Sequence, residues 1–167
     1  VGILMLLALG ALGYQLWTVI QMQKVNTELS NVAFRAASTL LRMEQDAYDL
    51  EEVSTRYVAR AEERRSSLEG RLQDTLDGYG DRFREVNEML QGRKPPEEIA
   101  LLSTAWIQYK AQLSGTRQML PQGGLAGLPP SLAEATTLLR AQTHLATIAM
   151  QKAMNDEVQK NQAMGDR

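Results

Sequence analysis

VNTELSNVAFRAASTLLRMEQDAYDLEEVSTRYVARA, residues 25–61, decides the fold. Apolar or small side chains recur at Val25, Leu29, Val32, Ala36, Leu40, Met43, Ala47, Leu50, Ser54, Tyr57 and Ala61. Every step is three or four residues, which draws one stripe down one face of a helix. A face of that length needs partner helices to cover it. The chain is therefore expected to be all-α, an up-down-up-down four-helix bundle.

Upstream, Val1 to Ile20 carries no charged residue. About 20 apolar residues suffice to cross the hydrocarbon core of a bilayer. Tyr14 and Trp17 sit near the end of this run, where rings with one polar edge favour the headgroup level. The expectation is a transmembrane helix over 1–20 and a helical domain over 21–167. A cleaved signal peptide is the alternative, with Ala11 and Gly13 as the small-x-small site. Against it, the apolar pattern runs on through Leu16, Val19 and Ile20. No Gly or Pro falls between Tyr14 and Glu69, so span and first helix can be one continuous rod. Val1 is no initiator Met, and the helical pattern reaches Arg167 without a stop signal. The natural chain is accordingly expected to extend beyond both ends.

Downstream, three further helices are expected, so that the four cover about 21–64, 66–91, 96–120 and 131–167. The second uses Leu68, Leu72, Leu76, Tyr79, Phe83, Val86 and Leu90. Ser66 and Glu69 form a candidate capping box for it, and a turn is placed at Arg64–Ser66. Gly78 and Gly80 flank Tyr79 and predict a kink or a close helix approach. Gln91 to Glu98 holds a Gly, a Pro pair and two acids, the signals of one helix ending and another beginning. The third stripe is Ile99, Leu102, Trp106, Tyr109, Leu113, Thr116 and Leu120. Pro121 to Pro130 is a loop, and Ser131 with Glu134 offers a second capping box. The fourth uses Leu132, Ala135, Leu138, Leu139, Gln142, Leu145, Ile148, Ala149, Ala153, Met154 and Val158. At 1.5 Å per residue the four run about 65, 38, 36 and 55 Å, which returns the chain toward its start. A long hairpin, with the first two helices fused through Arg64–Ser66, would do the same.

Composition narrows the function. Net charge is −2, so nothing favours nucleic acid. There is no Cys and only one His, which removes the common zinc sites. Gly123 to Gly127 follows no strand and lacks a closing Lys-Ser/Thr, so it is a turn rather than a phosphate cradle. No catalytic, cofactor or metal site is expected within these residues. Four side chains stand as candidate ligand contacts. Arg35 and Arg42 share a shoulder of the first helix and could hold an anion, although Asp46 lies four residues from Arg42 and could pair with it. Gln142 falls near the centre of the fourth stripe, where it would fix register or line a cavity. His144 lies at that stripe's edge, as a boundary residue or a pH-sensing group.

The order is span, long helix, short antiparallel pair, long returning helix. With the anchor Val1–Ile20, Leu40-Leu41-Arg42-Met43-Glu44-Gln45 and Glu52-Val53-Ser54-Thr55-Arg56-Tyr57, it resembles the extracytoplasmic four-helix sensor regions of bacterial two-component histidine kinases and methyl-accepting chemotaxis receptors. Met154 to Lys160 resembles a helix leading into a second span. The resemblance implies a receptor input module in the bacterial inner membrane, its helical domain periplasmic, acting as a homodimer on a cytoplasmic kinase. It names no ligand and no periplasmic partner. His144 lacks the acidic or Arg neighbour of a phosphoacceptor. A chemoreceptor output, or a membrane-tethered coiled coil without signalling, are the alternatives.

Overall fold

The computed structural model describes residues 2–165, with the side chains at 2–9, 25–27, 29 and 30 outside what is described. Four helices are described: α1 (Gly2–Ala59), α2 (Glu62–Met89), α3 (Glu97–Gln118) and α4 (Pro130–Gly165). The chain is all-helical, as the spacing requires. Helix α1 packs against α2 and α4, and α3 packs against α4. Cross-links give the directions. Asp46 meets Arg82, Glu51 meets Arg140 and Glu44 meets His144, so α2 and α4 both run antiparallel to α1. Ser54 meets Tyr109 and the Tyr57 ring lies under Arg117, so α3 runs parallel to α1 across the diagonal.

Leu40, Met43, Leu50 and Val53 of α1 are fully buried. They close on Leu72, Tyr79 and Val86 of α2, Leu102 and Tyr109 of α3, and Leu132 and Leu139 of α4. Helix α1 enters this core on alanines, with Ala33, Ala36 and Ala37 all buried. Small side chains let two backbones approach closely. The α2–α3 side is wider and is filled by the Trp106 ring, 4.5 Å from the Tyr79 ring. A Cβ on Gly80 would lie 3.6 Å from that indole, an ordinary van der Waals contact, so the ring's place does not depend on the glycine. Helix α2 continues through both glycines, and neither is required by a close helix approach, since a Cβ at Gly78 would lie 3.5 Å from the Arg82 side chain and one at Gly80 would meet only a side-chain ring.

The first turn departs from expectation. It falls at Arg60–Ala61, and α2 begins at Glu62. Ser66 is therefore exposed inside the helix, and the Ser66–Glu69 capping box does not form. Glu69 instead pairs with Arg117 of α3. The cap comes from a distant loop: the Glu62 N–H donates to the Gln122 carbonyl at 2.9 Å. The Leu125 N–H donates to the Val58 carbonyl at 2.7 Å, and Arg65 donates to the carbonyls of Arg60 and Pro121. The Pro121–Pro129 loop is thus a strap across the α1–α2 turn, with Leu125 and Leu128 packed on the core. The long-hairpin alternative is excluded, because α1 and α2 do not fuse. The second capping box fails as well. Helix α4 starts at Pro130, a residue suited to a first helical position, and Ser131 lies within its first turn.

The fourth stripe is rotated from expectation. Leu138, Leu145 and Ile148 are exposed, and Thr136, Thr143 and Thr147 are buried in their place. Each threonine donates to the carbonyl four residues back, at 2.6 to 3.0 Å, so none costs an unpaired hydroxyl. Among the described residues no helix is long and apolar enough to cross a membrane. The expected span over 1–20 falls partly outside the described side chains.

Gly124 tests the strap. Its φ is +79°, and a Cβ there would meet the Ala59 carbonyl oxygen at 2.7 Å. Gly124→Ala is expected to lower unfolding stability by about 1–3 kcal/mol. Gly127→Ala, with open space around its Cβ position, is expected to stay within about 0.5 kcal/mol. Equilibrium denaturation of the two variants against the parent measures the difference.

Candidate functional site

The seam between α1 and α4 carries the densest polar cluster. Heptad spacing on α1 sets Glu44 and Glu51 one above the other, facing α4, with Tyr48 between them. Arg140 of α4 reaches across. Its guanidinium lies 4.0 Å from the Tyr48 ring centre and bonds the Glu51 carboxylate at 2.5 Å. Stacking on an aromatic face and a carboxylate bond together fix a planar cation more firmly than either alone. The Tyr48 side chain and then Glu51 hold Arg140 in its charged form, against a modest desolvation. One turn below, His144 Nδ1 lies 3.0 Å from Glu44 Oε1. This ring is 63% exposed, so the pair is screened and weak.

Two open grooves flank the Tyr48–Arg140 bridge. The upper, of about 740 Å³, is lined by Gln45, Asp49, Glu52, Thr55 and Arg56. The lower, of about 340 Å³, is lined by Glu44, Thr137, Ala141 and His144. A third groove of about 440 Å³ lies on the α2–α3 side, over Trp106 and Lys110. Among the described residues, no group of three metal-ligating side chains converges.

The sequence candidates do not form one site. Arg35 and Arg42 are exposed on α1 and line none of these grooves. The Arg42–Asp46 pair is replaced: Asp46 bonds Arg82 of α2. Burial lifts the Asp46 carboxyl above the ordinary carboxylate value, and the Arg82 bond and charge only partly offset it. Gln142 is half-buried rather than central, with its Oε1 lacking a partner among the described residues. His144 alone lies in the α1–α4 seam. The residues that build the seam, Tyr48, Glu51 and Arg140, were not singled out by spacing. The one local signal was Arg140 beside the core position Leu139.

Beneath the seam, two hydroxyl pairs cross the core. Ser54 and Tyr109 meet at 2.7 Å and join α1 to α3. Tyr79 and Thr143 meet at 2.8 Å and join α2 to α4. Each pair tolerates little sliding: a shift of one helix by one residue would leave both Ser54 and Tyr109 unpaired, and would orphan the Tyr79 hydroxyl while Thr143 keeps its bond to the Leu139 carbonyl. Burial raises both phenols: Tyr109 is pushed up to about 12, opposed by its Ser54 bond, and Tyr79 rises further.

No protein-family model matches the chain, and no curated protein or solved structure matches it.

Ser54→Ala and Tyr109→Phe should each cost about 1–3 kcal/mol by orphaning the other hydroxyl. The double variant should cost less than their sum, with a coupling of about 1 kcal/mol in a double-mutant cycle. A raised phenol pKa favours the folded state while the group is protonated. That contribution is full below the unfolded value near 10 and is lost as pH rises through about 12. Alkaline unfolding midpoints should therefore shift upward in Tyr109→Phe relative to its own neutral-pH stability.

Proposed function

We propose that this chain is the input module of a membrane-bound bacterial receptor. Val1–Ile20 crosses the inner membrane, the helical region stands on the periplasmic side, and its output is read by a cytoplasmic histidine kinase. The observation that carries this reading is α1, a single helix from Gly2 to Ala59 whose upper half is core and whose lower part is the apolar run. Helix α4 supports it. Continued one residue for one residue, the register that sets Glu44 against His144 brings Gly165 level with Gln23. Both ends of the α1–α4 pair then lie on the side away from the strap.

The α1–α4 contact suits a signal. Buried alanines, Ala33, Ala36 and Ala37 on α1 and Ala146 on α4, stand among its larger aliphatic residues, and its rim is the Tyr48–Arg140–Glu51 and Glu44–His144 contacts. A stimulus in the grooves beside Arg140 would bias two packings of this pair by the difference in its affinity for them. Helices shift by about 1–2 Å in such transitions, as translation or rotation. The strap and the Ser54–Tyr109 pair hold the distal end, above the seam, so a change at the seam is directed downward. The resemblance to histidine-kinase sensor regions agrees with this arrangement, and a chemoreceptor would use the same pair.

Helical phase tests it. Residues 1–165 are grafted in place of the input region of a receptor kinase that keeps its own second span. One to four alanines are then inserted after Gln162. Kinase output is expected to vary with insert length by about fivefold or more, because each residue turns α4 by 100°. Constant output across the series would support a passive spacer instead.

A further inference from the structure

Asp46 and Arg82 bond across the α1–α2 contact, with Asp46 the more buried of the two. Two charges beside that bond are left unused. Arg42 lies four residues before Asp46 on α1, and Glu85 lies three residues after Arg82 on α2. Both are exposed, and among the described residues neither has an ion pair. Because α2 runs antiparallel to α1, both sit on the same side of the Asp46–Arg82 bond, toward the end away from the strap. They lie about 6 and 4.5 Å along their helices from it.

Spacing gives each partner of the bond a second choice, since charges three or four residues apart share one helix face. Asp46 is the acid on the face of Arg42; Glu44, the other acid nearby, meets His144 of α4 instead. Glu85 is the matching acid for Arg82, because Asp81 is taken by Arg84 at 2.7 Å. The Arg82 side chain leans back over Gly78, 3.5 Å from where a Cβ would stand there, and so to the side opposite Glu85. Two arrangements of the same four charges are therefore available. In the observed one, a single bond crosses between helices and two charges are left to water. In the other, Arg42 holds Asp46, Glu85 holds Arg82, and no bond crosses. We propose that the observed arrangement is the latched state of a two-state ion-pair switch, in which Asp46 exchanges Arg82 for Arg42 as α1 moves against α2.

The two arrangements answer motion differently. A helix shift of about 1–2 Å stretches a bond between helices but leaves the spacing within each helix unchanged. The latched bond is also held against a cost: burial at that place works against the charged form of Asp46, and the Arg82 contact offsets it only in part. Release returns the carboxylate to water and gives Arg42 and Glu85 a partner each, although exposed pairs of this kind are weak. Small opposed terms leave neither state far ahead, so a small shift of α1 selects between them. Its use by a stimulus in the α1–α4 grooves rests on the receptor reading above; the exchange itself does not.

Two measurements test it. In the full chain, Arg42→Gln, Asp46→Asn and Arg82→Gln are combined in every way and unfolded at equilibrium. Coupling between Arg42 and Asp46 is expected to be absent while Arg82 is present, and to reach about twofold in the unfolding constant once Arg82→Gln is made. The same Arg42–Asp46 coupling in both backgrounds, whatever its size, would overturn the exchange. In the grafted receptor described above, Arg82→Gln and Arg42→Gln are expected to move kinase output in opposite directions, by about twofold each, and Asp46→Asn to cancel both effects. Shifts in one direction, or no effect of Arg42→Gln, in a graft whose output follows helical phase would overturn the switch as a signalling contact. Constant output across the alanine series, with the conditional coupling present, would overturn the receptor reading and leave the exchange standing.

Discussion

Helix α1 fixes the position of every other element. Its inner stripe repeats at three and four residues without interruption, and that repeat sets the level at which each partner meets it. Asp46 takes Arg82, Glu51 takes Arg140, and Ser54 takes Tyr109, so α2, α4 and α3 are each referenced to α1. The main stabilising term is burial of aliphatic and aromatic side chains along that stripe, each contributing about 1.5–3 kcal/mol. The polar pairs decide register within it. They contribute less, but an error in register would orphan them.

The two ends of the bundle are built differently. At the strap end, the turn Arg60–Ala61 is held by backbone hydrogen bonds from a loop some 60 residues further on, and Gly124 lies against the Ala59 carbonyl. At the other end α2 and α3 are joined through Gly92, whose φ of +76° a side chain would resist, while α1 and α4 run on. A structure closed at one end and drawn out as two helices at the other has one direction in which motion leaves it. That asymmetry, rather than any catalytic group, is what the proposed receptor function uses.

Much of this was legible in the sequence. The all-α class, four helices, the α2–α3 break and the core of α3 follow from periodicity and from Gly/Pro placement. What was not legible depended on distant residues. The α1–α2 turn was misplaced because its cap is the Gln122 carbonyl, which no local pattern reveals. Arg42–Asp46 satisfied the spacing rule for a helix pair, yet Arg82 on the facing helix competes for the same carboxylate. On α4 the hydropathy pattern merged two stripes, the core line through Leu139 and Thr143 and the outer residues Leu138, Leu145 and Ile148. Threonines that bond their own helix are buried without cost, and hydropathy alone ranks them too polar. The Tyr48–Arg140 bridge joins residues 92 positions apart, and no spacing rule reaches that far.

The proposed continuation of α1 from the bundle into a bilayer can be measured directly through the two tryptophans. Trp17 lies in the apolar run and Trp106 is buried between α2 and α3. The full chain, reconstituted in lipid vesicles, is compared with its Trp106→Phe and Trp17→Phe forms for fluorescence quenching by lipid-borne and by aqueous quenchers. Trp17 is expected to be quenched by lipids labelled near the headgroup and shielded from aqueous iodide, while Trp106 responds to neither. Trp17 quenched freely by iodide and not by labelled lipid would contradict it.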